Sequence, residues 1–170
     1  EKRIIAGLKM MGANYVLDTN FSADVVIMEE GTELLNRIKD KHSVMPMFTS
    51  CCPGWVSFVE QHRPEMLDHL STTRSPQAVL SSLAKTWLPE KIGAEPSKIR
   101  VISIMPCTAK KIEAGRPQLA KDGVPDTDLV LTVRELARLF KSRGIDLKEI
   151  EDGEFDTPFM SRGSGAGVIF

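Results

Sequence analysis

The sequence predicts an α/β fold in which parallel sheets are flanked by helices. Three observations carry that expectation: short apolar runs rich in β-branched residues, helical apolar spacing between them, and glycine or proline at the joints. Taken in order, "RIIAGLKMMG" (3–12) has a helical pattern that stops at Gly12, and "DVVIM" (24–28) predicts a short strand. "GTELLNRIKDKH" (31–42) returns to helix, with Leu34, Leu35 and Ile38 on one side. "VMPMF" (44–48) predicts a buried strand that tolerates Pro46 only at its start or at a sheet edge. Pro53 suits a first helical turn, which "GWVSFVEQH" continues. "SPQAVLSSLAKTWLPEKIG" (75–93) repeats the device, with Leu80, Leu83, Ala84, Trp87 and Leu88 at helical spacing. "RVISIM" (100–105) is the strongest strand signal, and "DLVLT" (128–132) is another. A capping box, Thr132 to Glu135, then opens a helix whose Val133, Leu136, Ala137 and Phe140 form one face before Gly144. Residues 111–127 and 151–167 are the least regular, and no internal repeat or low-complexity linker interrupts the chain.

Composition narrows the function. The 170 residues are 42% hydrophobic and 26% charged, an ordinary globular balance. Twenty-two Lys and Arg against twenty-three Asp and Glu leave no electrostatic footprint for nucleic acid or an anionic membrane. No apolar run approaches the roughly 20 residues that a membrane helix needs, and no secretory signal pattern opens the chain. It starts at Glu1 and stops within "SGAGVIF", so it reads as an internal piece of something longer. Three cysteines are too few for a disulfide framework; reduced thiols acting as ligands or reactive groups are expected.

Those cysteines sit where a parallel sheet collects its chemistry, at the carboxyl ends of strands. Cys51 and Cys52 follow the run at 44–48 in "MFTSCCP", and Cys107 follows the run at 100–105 in "ISIMPCTAKK". A lone buried cysteine usually just packs. Two adjacent thiols beyond a strand have little packing reason, and neighbouring side chains point different ways, so one can bind while the other faces another cavity. Convergent thiolates suit a soft metal or an iron-sulfur cluster. A three-cysteine zinc site is also possible, although Cys-x2-Cys pairs are missing and no histidine lies near Cys107. His42, His62 and His69 read as surface or helix-end residues.

"FTSCCPGW" (48–55) together with "MPCTAKKIEA" (105–114) resembles two signature motifs of the iron-iron (FeFe, iron-only) hydrogenases. The similarity continues through "ADVVIMEEGTELLNRI" (23–38), "STTRSPQAVL" (71–80), "DGVPDTDLVLTVRELARLF" (122–140) and "SGAGVIF" (164–170). The resemblance implies a catalytic domain of two α/β lobes clasping a 4Fe-4S cluster, which is joined through one cysteine to a two-iron centre bearing CO, cyanide and a bridging dithiolate amine. By that resemblance Cys52 and Cys107 are two of the four cluster ligands, and Cys51 is the neighbouring thiol that passes protons. Lys110 is the lysine that hydrogen-bonds a cyanide. Met105 packs over the two-iron centre, and Glu113 is a structural acid.

Glu30, Glu33 and Arg37 stand at i, i+3 and i+7, on one helical face. Most such stripes are simply solvated. The resemblance implies instead a proton relay of Cys51, Glu30, Ser71 and Glu33, with Arg37 at its outer end. A downstream Cys-x3-Cys motif and an upstream segment of the family pattern are missing, so residues 1–170 are expected to be an incomplete catalytic domain, inactive alone. Implied partners are a ferredoxin or similar electron carrier, maturation factors for the metal centre and the remaining parts of the domain; an oxygen-free cytoplasm is the expected compartment. Hydrogenase-like proteins of eukaryotic iron-sulfur assembly form the alternative, but they generally keep a single cysteine before Pro-Gly-Trp. A thiol-redox protein using Cys51 and Cys52 is a third reading. "GSGAG" (163–167) does not satisfy the dinucleotide fingerprint, because position 168 is Val.

Overall fold

A computed structural model describes residues 1–159. Helix α1 (Lys2–Met10) leads through a loop to the long α2 (Thr19–Lys39), then α3 (Pro53–His62) and α4 (Pro76–Ile92). Strand β1 (Ile102–Met105), the short α5 (Ala109–Ala114), a hairpin of β2 (Ala120–Lys121) and β3 (Val124–Pro125), β4 (Leu129–Thr132) and α6 (Val133–Ser142) complete the order. β1 and β4 pair in parallel, with Ile102 opposite Leu129 and Met105 opposite Thr132. A second parallel contact, the single bridge Phe48 to Leu70, lies in the other half of the molecule. The architecture is therefore α/β with parallel pairing, as the sequence predicts. No described helix is long and apolar enough to cross a membrane.

Two expected strands are absent. Residues 24–28 lie inside α2, where Asp18 caps the helix by accepting from the Asn20 amide at 2.9 Å. Ser22, Ala23, Val26 and Glu30 are the buried positions of α2, a helical spacing that the local β-branched run conceals. Tertiary packing of that face, chiefly against α4, overrides strand propensity. Residues 44–48 contribute only the Phe48 bridge, fixed by Phe48 N–H to the His69 carbonyl and Ser71 N–H to the Phe48 carbonyl, both at 2.7 Å. The irregular stretch at 111–127 contains the end of α5 and the β2–β3 hairpin. The sequence features at 160–170 lie outside the described residues.

α4 also departs from expectation. Ala84 and Leu88 are buried, yet Trp87 is exposed, and the inward face carries Gln77, Ser81 and Lys85. Ser81 and Lys85 are paired with the segment before β4, and Gln77 with α5. Lys85 Nζ meets Asp128 Oδ2 at 2.8 Å and donates to the Pro125 carbonyl, and Thr127 Oγ1 donates to Ser81 Oγ at 2.7 Å. Asp128 in turn accepts from the Val101 amide at 2.7 Å, so α4, β1 and β4 are fastened at one point. The capping box at α6 forms as predicted, with Thr132 N–H donating to Glu135 Oε2 at 2.7 Å and Glu135 N–H donating to Thr132 Oγ1 at 3.2 Å. The stretch at 151–159 runs back over α1: Gly153 N–H donates to the Lys2 carbonyl, and Asp156 accepts from Lys9 Nζ and the Val16 amide. Phe159 stacks between Phe21 of α2 and Trp87 of α4.

Candidate active site

Both cysteine loops lead straight into helices. Cys52 is the N-cap residue of α3, with Pro53 in the first turn, and Cys107 stands two residues before α5. Cys52 and Cys107 are exposed, Cys51 is half-buried, and all three thiols are free. Gly54 lies where the two loops adjoin: a Cβ there would be in ordinary van der Waals contact with Cys52 Sγ at 3.8 Å and Ala109 Cβ at 4.0 Å. The Cys51–Cys52 loop is held from behind by the Phe48 bridge and by Ser50 Oγ donating to the Thr73 carbonyl at 2.9 Å.

Lys110 joins the two loops. Its ammonium donates to the Cys51 carbonyl at 2.9 Å and to Glu113 Oε2 at 3.0 Å. Gln77, 2% exposed on α4, donates through Nε2 to Glu113 Oε2 at 3.1 Å and to the Lys110 carbonyl at 3.2 Å. Sequence reasoning missed Gln77. Its signal was the polar i, i+4, i+8 series of Gln77, Ser81 and Lys85 within an otherwise apolar helix. Met105 ends β1, half-buried.

On the other side of Cys51 the face of α2 divides in two. Glu33 Oε1 accepts from Arg37 Nε at 3.0 Å and Nη2 at 2.7 Å. Its Oε2 accepts from Ser71 Oγ at 2.8 Å, the Thr72 amide at 3.0 Å and Thr72 Oγ1 at 3.2 Å. Arg37 also donates to the carbonyls of Val44, Asp68 and Leu70. Glu33, Ser71 and Arg37 thus form one connected group that opens onto a surface cleft of about 490 Å³, whose lining includes Glu29, Asn36 and Thr72. Thr72 is a second residue that the sequence reading missed. Glu30, by contrast, is buried, with Oε1 lacking any partner, and no hydrogen bond among the described residues joins it to Cys51 or Ser71.

The electrostatics follow the same division. Burial pushes the Cys51 thiol up, the Glu30 charge adds to that, and Lys110 opposes it. The thiol therefore keeps its proton through neutral pH. Burial also pushes the Glu33 carboxyl up, but hydrogen bonds from Ser71, Arg37 and Thr72 together with the Arg37 charge outweigh it and hold the group below the ordinary glutamate range.

Among the described residues no group of three or more His, Cys, Asp or Glu could hold a metal ion, which leaves the three-ligand zinc site without support. His42 and His62 lie at the surface, and His69 is half-buried, with Nδ1 2.8 Å from the Pro46 carbonyl. Two exposed thiols on adjoining loops are a partial donor set. They fit a sulfur-ligated group whose remaining ligands come from elsewhere.

Comparison with known proteins agrees. The family model for the iron only hydrogenase large subunit, C-terminal domain, matches residues 1–170. Iron hydrogenase 1 of Clostridium pasteurianum is 46% identical over 168 residues, covering 99% of this chain and 29% of that protein. Cytosolic iron-sulfur assembly component 3 of Bos taurus is 34% identical over 181 residues, covering 98% of this chain and 38% of that protein. Among solved structures, a variant of the FeFe-hydrogenase HydA1 from Chlamydomonas reinhardtii superposes with a TM-score of 0.89 at 44% identity, over 99% of this chain and 42% of that one. The chain spans less than half the length of each.

Proposed function

Because the chain belongs to the family of the iron-only hydrogenase large subunit, C-terminal domain, we propose that the protein containing it interconverts protons and electrons with molecular hydrogen. In this reading residues 1–170 are part of a catalytic domain, and Cys52 and Cys107 supply two of four thiolates to a 4Fe-4S cluster. When bound, that cluster and a two-iron centre with CO, cyanide and a dithiolate amine supply the electron store and the open metal site. One observation carries the reading: the Lys110 ammonium spans the two cysteine loops, 2.9 Å from the Cys51 carbonyl. An ammonium has three donors. Two are committed to Cys51 and Glu113 among the described residues, and the third is available to an anionic ligand such as cyanide.

The proton is held at Cys51 Sγ, where burial and Glu30 keep the thiol protonated. The proposed route then runs through the Glu30 carboxylate, the Ser71 hydroxyl and the Glu33 carboxylate to the surface cleft at Arg37. Glu30 Oε1 is the acceptor that this route requires, since a buried carboxylate oxygen without a partner is costly unless something donates to it in the working state. Met105 is proposed to pack over the two-iron centre. Electrons are proposed to come from a ferredoxin or similar carrier, and the metal centre from maturation factors. A reducing, oxygen-free cytoplasm is the proposed compartment.

The assembly relative supports a second reading, an iron-sulfur protein that binds its cluster without hydrogen chemistry. The adjacent Cys51 and Cys52 favour the enzyme, because only one of the two is needed as a ligand. An infrared spectrum of the full-length protein, matured and purified without oxygen, separates them. Metal-bound CO and cyanide stretches are expected. Iron-sulfur absorbance without those bands, under conditions that mature a known hydrogenase, would establish the assembly reading instead.

A further inference from the structure

Resting on the reading that Cys52 and Cys107 bind a cluster, we infer that Glu60 and Arg116 form a positioning latch that sets the separation of those two thiols. Each thiol is carried by a helix start, so its place depends on where its helix lies. α5 has only six residues, too few to hold a helix unaided, and tertiary tethers must fix it. Near the cysteines the tether between the two arms is the Lys110 bond to the Cys51 carbonyl. That bond acts at one end, and the ties of α5 to α4 through Gln77 and to α6 through Lys111 and Glu135 do not join it to α3.

The far end is closed by a fork. Arg116, just past α5, donates from Nη1 to Glu60 Oε1 and from Nη2 to Glu60 Oε2, both at 2.7 Å. Glu60 lies in the last turn of α3, eight residues beyond Cys52, and Arg116 lies nine beyond Cys107. The two arms are matched, and a planar two-bond contact resists rotation as well as separation. The side chains are 24% and 40% exposed, so the pair contributes little to global stability. Its effect is geometric: it turns two independently anchored helix starts into one clamp.

The test uses the full-length protein carrying its iron-sulfur cluster. Iron release to a ferrous chelator and the electron paramagnetic resonance spectrum of the reduced cluster are compared for wild type, Arg116→Ala, Glu60→Gln, Arg116→Lys and the charge exchange Glu60→Arg with Arg116→Glu. Arg116→Ala and Glu60→Gln should release iron roughly tenfold faster, the low end for residues that support metal ligands, with shifted g-values and unchanged thermal unfolding. Arg116→Lys should fall between, because it keeps the charge and loses the fork. The exchange should recover most of the wild-type rate. Wild-type release and spectra in both single variants would overturn the latch alone. A wild-type protein that binds no cluster would overturn the latch and the cluster reading together.

Discussion

Removing the Glu33 carboxylate tests whether the outer half of the proposed relay is also a structural keystone. The Glu33 side chain is 16% exposed and that of Arg37 14%, and they meet at 2.7 Å. Glu33→Ala deletes the two Arg37 bonds and the three from Ser71 and Thr72, and leaves a guanidinium that has only the carbonyls of Val44, Asp68 and Leu70. Breaking a fully buried pair costs about 3–5 kcal/mol; partial access of water and the three remaining acceptors bring this one to about 2–3 kcal/mol. Glu33→Gln keeps an oxygen for Ser71 and Thr72 but turns an amide NH2 toward the guanidinium, a loss of about 1.5–2 kcal/mol. Urea denaturation read at constant slope measures both. The pH dependence has a definite sign. Glu33 is held below its ordinary value of 4.5, so its stabilisation is present above that value and lost as pH falls through the lower folded value. Wild type should therefore lose more stability than Glu33→Gln on acidification from neutral pH, and the difference between them should shrink. A Glu33→Ala loss under about 0.5 kcal/mol at neutral pH, within the range of ordinary surface substitutions, would refute the reasoning.

The remaining predictions probe other levels of the structure. In the matured protein, Cys51→Ser or Glu30→Gln should leave the metal-centre infrared bands largely in place and cut hydrogen turnover to near zero; wild-type rates in either variant would sink the relay. Gly153→Ala should destabilise by about 1–3 kcal/mol, because a Cβ there would come within 2.7 Å of the Ala6 backbone nitrogen. Gly31→Ala, in the middle of α2 with open space around it, should stabilise by about 0.5–1 kcal/mol and raise the urea midpoint.

Legibility in the sequence followed the range of the interaction that decided each element. The helix starts at Pro53 and Pro76 and the Thr132–Glu135 capping box are set by residues within a turn of each other, and they formed where expected. The run at 24–28 was misread because its five residues favour a strand locally, whereas burial at Ser22, Ala23, Val26 and Glu30 belongs to a 21-residue helix whose buried face packs on α4. At the site, motif resemblance singled out the cysteines and Lys110, yet the partners that orient them come from distant positions. Gln77 reaches Glu113 across 36 residues and Arg116 reaches Glu60 across 56, and neither pairing leaves a periodic trace. Arg37 illustrates the limit. Its spacing placed it on one helical face with Glu30 and Glu33, but showed neither the ion pair with Glu33 nor the bonds to carbonyls on both sides of the Phe48 bridge.

Adjacent thiols make physical sense only because the surrounding structure treats them differently. Cys52, at the α3 N-cap, is exposed, and its backbone direction is fixed by the helix that starts at Pro53. Cys51, one residue earlier, turns toward the buried side, where Glu30 raises the cost of ionising it. In the proposed function a ligand must give up its proton readily, while a group that passes protons must hold one at the working pH, so one thiol would not serve well in both roles. Lys110 divides its effect between them. Its bond to the Cys51 carbonyl fixes the backbone that aims both thiols, and its charge moderates the Cys51 thiol without overcoming burial. Glu113 and Gln77 hold that ammonium from behind, so the charge is presented toward the cysteine loops instead of being free to swing into solvent.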